Sequence, residues 1–120
     1  MPTWQTRKAE IVDWGTDKDE YKPGETAKAW ITIRNTGSSP IKEVTLRGKV
    51  QRKIAGRFIG LGGHEITLSD LNIQPGGTES YKQTQYVPYA PGTYKANIVV
   101  IIDGVEIANL EKIITILRPE

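Results

Sequence analysis

Tyr21-Lys22-Pro23-Gly24-Glu25 runs directly into Thr26-Ala27-Lys28-Ala29-Trp30-Ile31-Thr32-Ile33-Arg34-Asn35-Thr36-Gly37. A Pro-Gly turn opens the stretch and an Asn-Thr-Gly turn closes it. Between them Ala27, Ala29, Ile31 and Ile33 alternate with Lys28, Trp30, Thr32 and Arg34. Successive side chains of a strand point to opposite faces, so this alternation predicts a strand with one buried face.

The same period recurs on both sides of it. Lys8 to Trp14, with Ile11, Val12 and Trp14, forms an earlier run, and Gly15 to Glu20 reads as a loop. Pro40 cannot donate to a ladder and belongs at the start of the next strand. That strand, Ile41 to Lys53, sets Val44, Leu46, Gly48 and Val50 against Glu43, Thr45, Arg47 and Lys49. A glycine inside a strand, here Gly48, signals a bulge or a close backbone approach. Ile54 to Gly60 predicts a hairpin return, and Leu61-Gly62-Gly63-His64 reads as a flexible loop. Ile66, Leu68, Leu71 and Ile73 follow with a break in phase near Asp70, and Pro75-Gly76-Gly77 is a strong turn.

Thr78 to Val87 alternates without an apolar face, which predicts a bulge or a half-exposed edge strand. Tyr94, Ala96, Ile98, Val100 and Ile102 make an inward stripe, and Val99 and Ile101 make the opposite face partly apolar, as in a central strand. Asp103-Gly104 then predicts a tight hairpin. The last run, Val105 to Leu117, slips in phase near Asn109. The chain therefore reads as all-β, an antiparallel sandwich of about seven or eight strands.

At 120 residues the chain is one domain, with its ordered core spanning about residues 8–118. Cysteine is absent, which removes disulfides, thiolate metal sites and a cysteine nucleophile. The formal charge of +2 is too mild to predict a nucleic-acid partner. No apolar run approaches the roughly 18 residues of a membrane span, so a transmembrane protein is not expected. Met1 to Glu10 lacks the apolar centre of a signal peptide. The expectation is a module excised from a longer chain, working outside the cell or at its surface.

Taken together, Pro23-Gly24-Glu25, the strand ending in Asn35-Thr36-Gly37, Leu71 to Gly77, and Pro91-Gly92-Thr93-Tyr94 resemble CARDB. CARDB is the cell-adhesion-related domain found in bacteria, and related immunoglobulin-like modules carry the same phrases. The resemblance covers about residues 8 to 118. It implies an immunoglobulin- or fibronectin-III-like sandwich, usually one module of a long cell-surface protein, with no catalytic residues and no cofactor. Lys53 to Ser69 looks longer than the compact family connection, and Thr78 to Gln85 is more polar than the family pattern.

Little in the chain suggests chemistry. His64 is the single histidine and reads as a solvated loop residue. Asp17, Asp19 and Glu20 form an acidic cluster that could weakly hold calcium, but it lacks the glycine-punctuated loop with a distal glutamate. Gly60-Leu61-Gly62-Gly63 has no following helix to receive a phosphate. Ser38, Ser39, Ser69 and Ser80 lack a nucleophile-elbow context. An enzyme is not expected.

Binding residues are better candidates. Trp30 falls on the outward phase of its strand, and Trp4, Trp14 and Tyr21 lie near polar segments. Exposed aromatics can stack on sugar rings. The plainer reading has Trp30 covered within the domain by the 15–25 loop or by the Lys28 and Arg34 stems. Arg47, Lys49 and Arg52 form a basic strand face, either a docking stripe for an acidic partner or simply a solvated surface. The resulting expectation is a non-catalytic module that binds a protein or cell-surface partner. A carbohydrate-binding module using Trp30 and nearby tyrosines is the alternative, and Trp30, Trp14 and Tyr21 are the ligand-binding candidates.

Overall fold

The computed structural model describes residues 8–119. Eight strands follow one another: β1 Ala9–Thr16, β2 Glu20–Tyr21, β3 Thr26–Asn35, β4 Val44–Ile54, β5 Arg57–Leu68, β6 Thr78–Tyr86, β7 Gly92–Ile102 and β8 Val105–Ile116. They form two sheets, β1-β3-β6 and β2-β8-β7-β4-β5. The result is an all-β sandwich of the immunoglobulin or fibronectin-III type, drawn out to 54 × 26 × 20 Å.

The chain crosses from one sheet to the other between β1 and β2. Strand β2 then pairs in parallel with the end of β8, Glu20 with Thr115 and Tyr21 with Ile116. The sequence places a loop and a turn here, and it predicts a wholly antiparallel fold. The strand is short, and its one apolar residue, Tyr21, gives no period to read.

The alternation in β3 becomes burial. Ile31 and Ile33 are buried, as are Val44, Val100 and Ile102 facing them from the other sheet. A second cluster fills the opposite end with Tyr21, Val87, Tyr94 and Ile116. Tyr94 is 1% exposed at the start of β7, and its hydroxyl donates to the Ala90 carbonyl at 2.7 Å. This bond back to the preceding loop is the tyrosine-corner device of Greek-key sandwiches.

Three phase breaks have physical causes. Val50/Gln51 of β4 faces Gly62/Gly60, which leaves Leu61 as an extra residue in β5. Ile107 is the extra residue where β8 faces Val100/Ile101, two positions before the slip expected at Asn109. Val12 is the third, in β1. Asp103-Gly104 makes the expected hairpin with both φ positive, 46° and 83°. Ala55-Gly56 does the same between β4 and β5, at 52° and 80°.

Leu61-Gly62-Gly63-His64 is strand, not loop. The β4 ladder continues through it, with Val50 opposite Gly62, Lys49 opposite Gly63 and Gly48 opposite His64. A Cβ on Gly63 would lie 3.0 Å from the Gly48 carbonyl oxygen, whereas one on Gly48 would meet the His64 carbonyl oxygen at an ordinary 3.8 Å, so the close backbone approach expected at Gly48 falls on Gly63 instead. Strand β6 is an edge strand, and its residues are exposed except for half-buried Tyr81.

Candidate functional site

The outer face of the three-stranded sheet is built from alternate residues. Register sets Gly15 of β1, Trp30 of β3 and Lys82 of β6 side by side, with Thr26 opposite Tyr86, Lys28 opposite Thr84 and Thr32 opposite Ser80. Trp30 points outward, as its phase predicts. Its indole lies over Gly15: a Cβ added there would sit 3.2 Å from the Trp30 Cζ2 atom. Trp30 Nε1 donates to the Asp13 carboxylate at 3.0 Å. The ring is half-buried, seated on a bare backbone and oriented by one hydrogen bond.

Hydroxyls and ammonium groups surround it. Thr32 and Ser80 are hydrogen-bonded at 2.7 Å, and Lys28 and Thr84 are exposed. Tyr86 stands at the end of the same face, 77% exposed. Four residues of strand separate its row from that of Trp30, roughly 13 Å. The face is polar, with an aromatic ring at its middle and another at its rim. Two shallow depressions elsewhere, one lined by Lys18, Asp19, Glu20, Ile113 and Thr115 and the other by Pro91 to Thr93 and Thr115 to Pro119, do not include Trp30.

The other two aromatic candidates are not on this face. Trp14 pairs with Ile31, so it shares the inner face and packs against the first core cluster. The bulge at Val12 produces this placement by shifting the phase of β1 before Trp14. Tyr21 is 1% exposed and unavailable to a ligand. Its hydroxyl donates to Asp17 Oδ1 at 2.7 Å and accepts from the Lys18 amide at 3.1 Å. Burial, with that hydrogen bond to Asp17, raises the pKa of the phenol. Trp4 lies outside the described residues.

The basic face is also smaller than its sequence suggests. Arg47 and Lys49 share the outer face of the five-stranded sheet, Arg47 bonded to Glu65 across the strand at 3.3 Å. Arg52 has the opposite parity and is in phase with Val50 on the inner face. Its guanidinium donates to the Pro91 carbonyl at 2.8 Å and lies 5.8 Å from the Tyr94 ring centre. Arg52 therefore braces the β6–β7 loop.

The acidic cluster is divided among structural partners. Asp17 Oδ1 accepts from the Lys28 amide at 2.9 Å as well as from Tyr21, and Asp19 pairs with Lys112 at 3.0 Å. Those bonds, from Lys28 first and Tyr21 second, lower the Asp17 pKa. Among the described residues no group of three or more His, Cys, Asp or Glu is arranged to hold a metal, and no helix is long and apolar enough to cross a membrane. His64 is exposed on β5.

Sequence reasoning missed Asp13 and Gly15 as the seat of Trp30. The signal was present, since a glycine directly across from an outward tryptophan is the place where a ring can lie flat, but it needs the register to be read.

No family model and no curated protein matches the chain. Solved structures match its fold. The C-terminal domain of wzt superposes with a TM-score of 0.73 at 9% identity, over 94% of this chain and 75% of that one. The Pseudomonas fluorescens alkylpurine DNA glycosylase AlkC, bound to DNA containing an abasic site analog, gives 0.64 at 12% identity, over 89% and 30%. The Paenibacillus cycloisomaltooligosaccharide glucanotransferase complexed with cycloisomaltoheptaose gives 0.60 at 23% identity, over 89% and 14%. This chain thus spans less than a third of each of the last two. At such identities the likeness establishes a sandwich fold common to unrelated proteins and no particular family.

Proposed function

We propose that this chain is a non-catalytic sandwich module that binds carbohydrate on the outer face of its three-stranded sheet. The observation that carries the reading is the posture of Trp30, laid over Gly15 with its N–H held by Asp13. A ring fixed in this way offers its free side to the apolar face of a sugar at little cost in side-chain entropy. Thr32, Ser80 and Thr84 supply neutral hydrogen-bonding groups within the same rows, and Tyr86 offers a second ring. The glucanotransferase with a bound cyclic glucan, among proteins of this fold, supports the reading.

The adhesion reading is second, supported by the ordered phrases shared with CARDB and by the basic outer residues Arg47 and Lys49. Both readings describe one module of a longer extracellular or cell-surface protein. Screening the domain and its Trp30→Ala variant against an array of soluble and immobilised glycans separates them. Binding by the wild type that disappears in the variant supports the sugar site; silence across the array retires it in favour of a protein partner.

A further inference from the structure

The β4–β5 hairpin combines two properties on its exposed surface. From Val44 to His64 the chain holds five cations, Arg47, Lys49, Arg52, Lys53 and Arg57, and no carboxylate. Arg47 is paired with Glu65, and Arg52 is committed to Pro91. Lys49, Lys53 and Arg57 make no ion pair among the described residues. In the same segment Ile54, Ile59 and Leu61 are 46%, 47% and 53% exposed.

The topology keeps this segment bare. Strand β5 is the outermost strand of the five-stranded sheet, and it is exposed along most of its length. Register puts Ile59 opposite Arg52 and Ile54 opposite Arg57, so bare isoleucines and a free guanidinium share one face. Lys53 stands on the other face, opposite Phe58, whose ring carries the Lys95 ammonium at 4.3 Å. Asp103-Gly104 lies at the far end of the sheet, because Ile102 pairs with Val44 whereas Tyr94 pairs with Arg52.

We propose that this hairpin tip docks on an anionic lipid bilayer, with Ile54, Ile59 and Leu61 entering the headgroup–acyl boundary and Lys49, Lys53 and Arg57 lying among the phosphates. A soluble polyanion would satisfy the cations and leave three large apolar side chains in water. An apolar protein groove would do the reverse. An anionic membrane surface satisfies both, since interfacial binding adds buried apolar area to electrostatic attraction. The proposal is independent of the sugar site, which lies on the other sheet.

The chain has no cysteine, so a single thiol can be placed at will. Ala55→Cys puts an environment-sensitive fluorophore at the tip, and Val105→Cys puts one at the opposite end. With vesicles of phosphatidylcholine and phosphatidylglycerol at low ionic strength, the tip label gains intensity severalfold and the distal label does not change. Vesicles of phosphatidylcholine alone give a much weaker response. Lys53→Ala lowers the partition coefficient about fivefold. Leu61→Asp lowers it further, and circular dichroism confirms that the variants remain folded. The proposal is overturned if the wild type ignores anionic vesicles, or if both labels respond alike. It is also overturned if Leu61→Asp binds them as well as wild type while Lys53→Ala does not, which would mark a site for a soluble polyanion.

Discussion

Asn35 donates from Nδ2 to the carbonyl of Ile73, 38 residues further along the chain, at 2.7 Å. The same amide group donates to the Ser39 carbonyl at 2.9 Å, and Oδ1 accepts from the Gly37 amide at 2.9 Å. The residue is 1% exposed and ties the end of β3 to the Ile41–Ile73 bridge. Asn35→Ala removes three hydrogen bonds, although the Ile73 carbonyl keeps the Ile41 amide and the Gly37 amide keeps the Lys8 carbonyl, and urea unfolding should show a loss of about 1–3 kcal/mol. Asn35→Asp should be no better, because a carboxylate cannot donate to either carbonyl.

Gly15 seats the Trp30 indole at the centre of the proposed sugar face. A Cβ there meets the Trp30 indole at 3.2 Å, so Gly15→Ala shifts the ring slightly, and Gly15→Val lifts it from the sheet. Glycan affinity should fall modestly in the first variant and at least tenfold in the second. Acrylamide quenching should rise in the same order.

Acid should weaken the fold through two aspartates. Burial alone would raise the Asp103 pKa, but hydrogen bonds from Lys8 and from the Glu43 and Lys42 amides outweigh it and leave it lowered. The Asp17 pKa is lowered by its own bonds to Lys28 and Tyr21. For a depressed carboxylate the folded state binds its proton less readily than the unfolded chain does. The stabilisation is therefore complete above the unfolded pKa of about 4 and is lost as pH falls below it. Urea midpoints measured from neutral pH down to about 2 should decline across that window. Asp103→Asn and Asp17→Asn should each be less stable at neutral pH and show a shallower decline.

Ala55 is a residue with a Cβ in the left-handed region, at φ 52°, beside Gly56 in the two-residue turn between β4 and β5. Asn-Gly suits such a turn far better. Ala55→Asn should stabilise the domain by about 0.5–1 kcal/mol, read as a raised urea midpoint with an unchanged slope.

Strands with one clean apolar face were legible from alternation alone. Ile31 and Ile33 in β3, and Val100 and Ile102 in β7, lie where their phase puts them. Readings failed where a single extra residue reversed the phase or where glycines erased it. Val12 turns Trp14 inward, and Gly62-Gly63 hides a strand that only its ladder with β4 reveals. Tyr21 looked like a turn aromatic because its burial comes from crossing to the other sheet, a tertiary event with no local pattern. Trp30 was legible as an outward ring, but its partners Asp13 and Gly15 lie across a bulged strand pair, where sequence separation carries no register.

The indole Nε1–H of Trp30 is the most direct witness to the central claim. In a 15N-edited NMR titration with a glycan selected from the array, its cross-peak should move together with the backbone amides of Lys28, Thr32 and Lys82, while that of Trp14 stays in place. A saturable shift confined to other residues, with the Trp30 indole unmoved, would contradict the account.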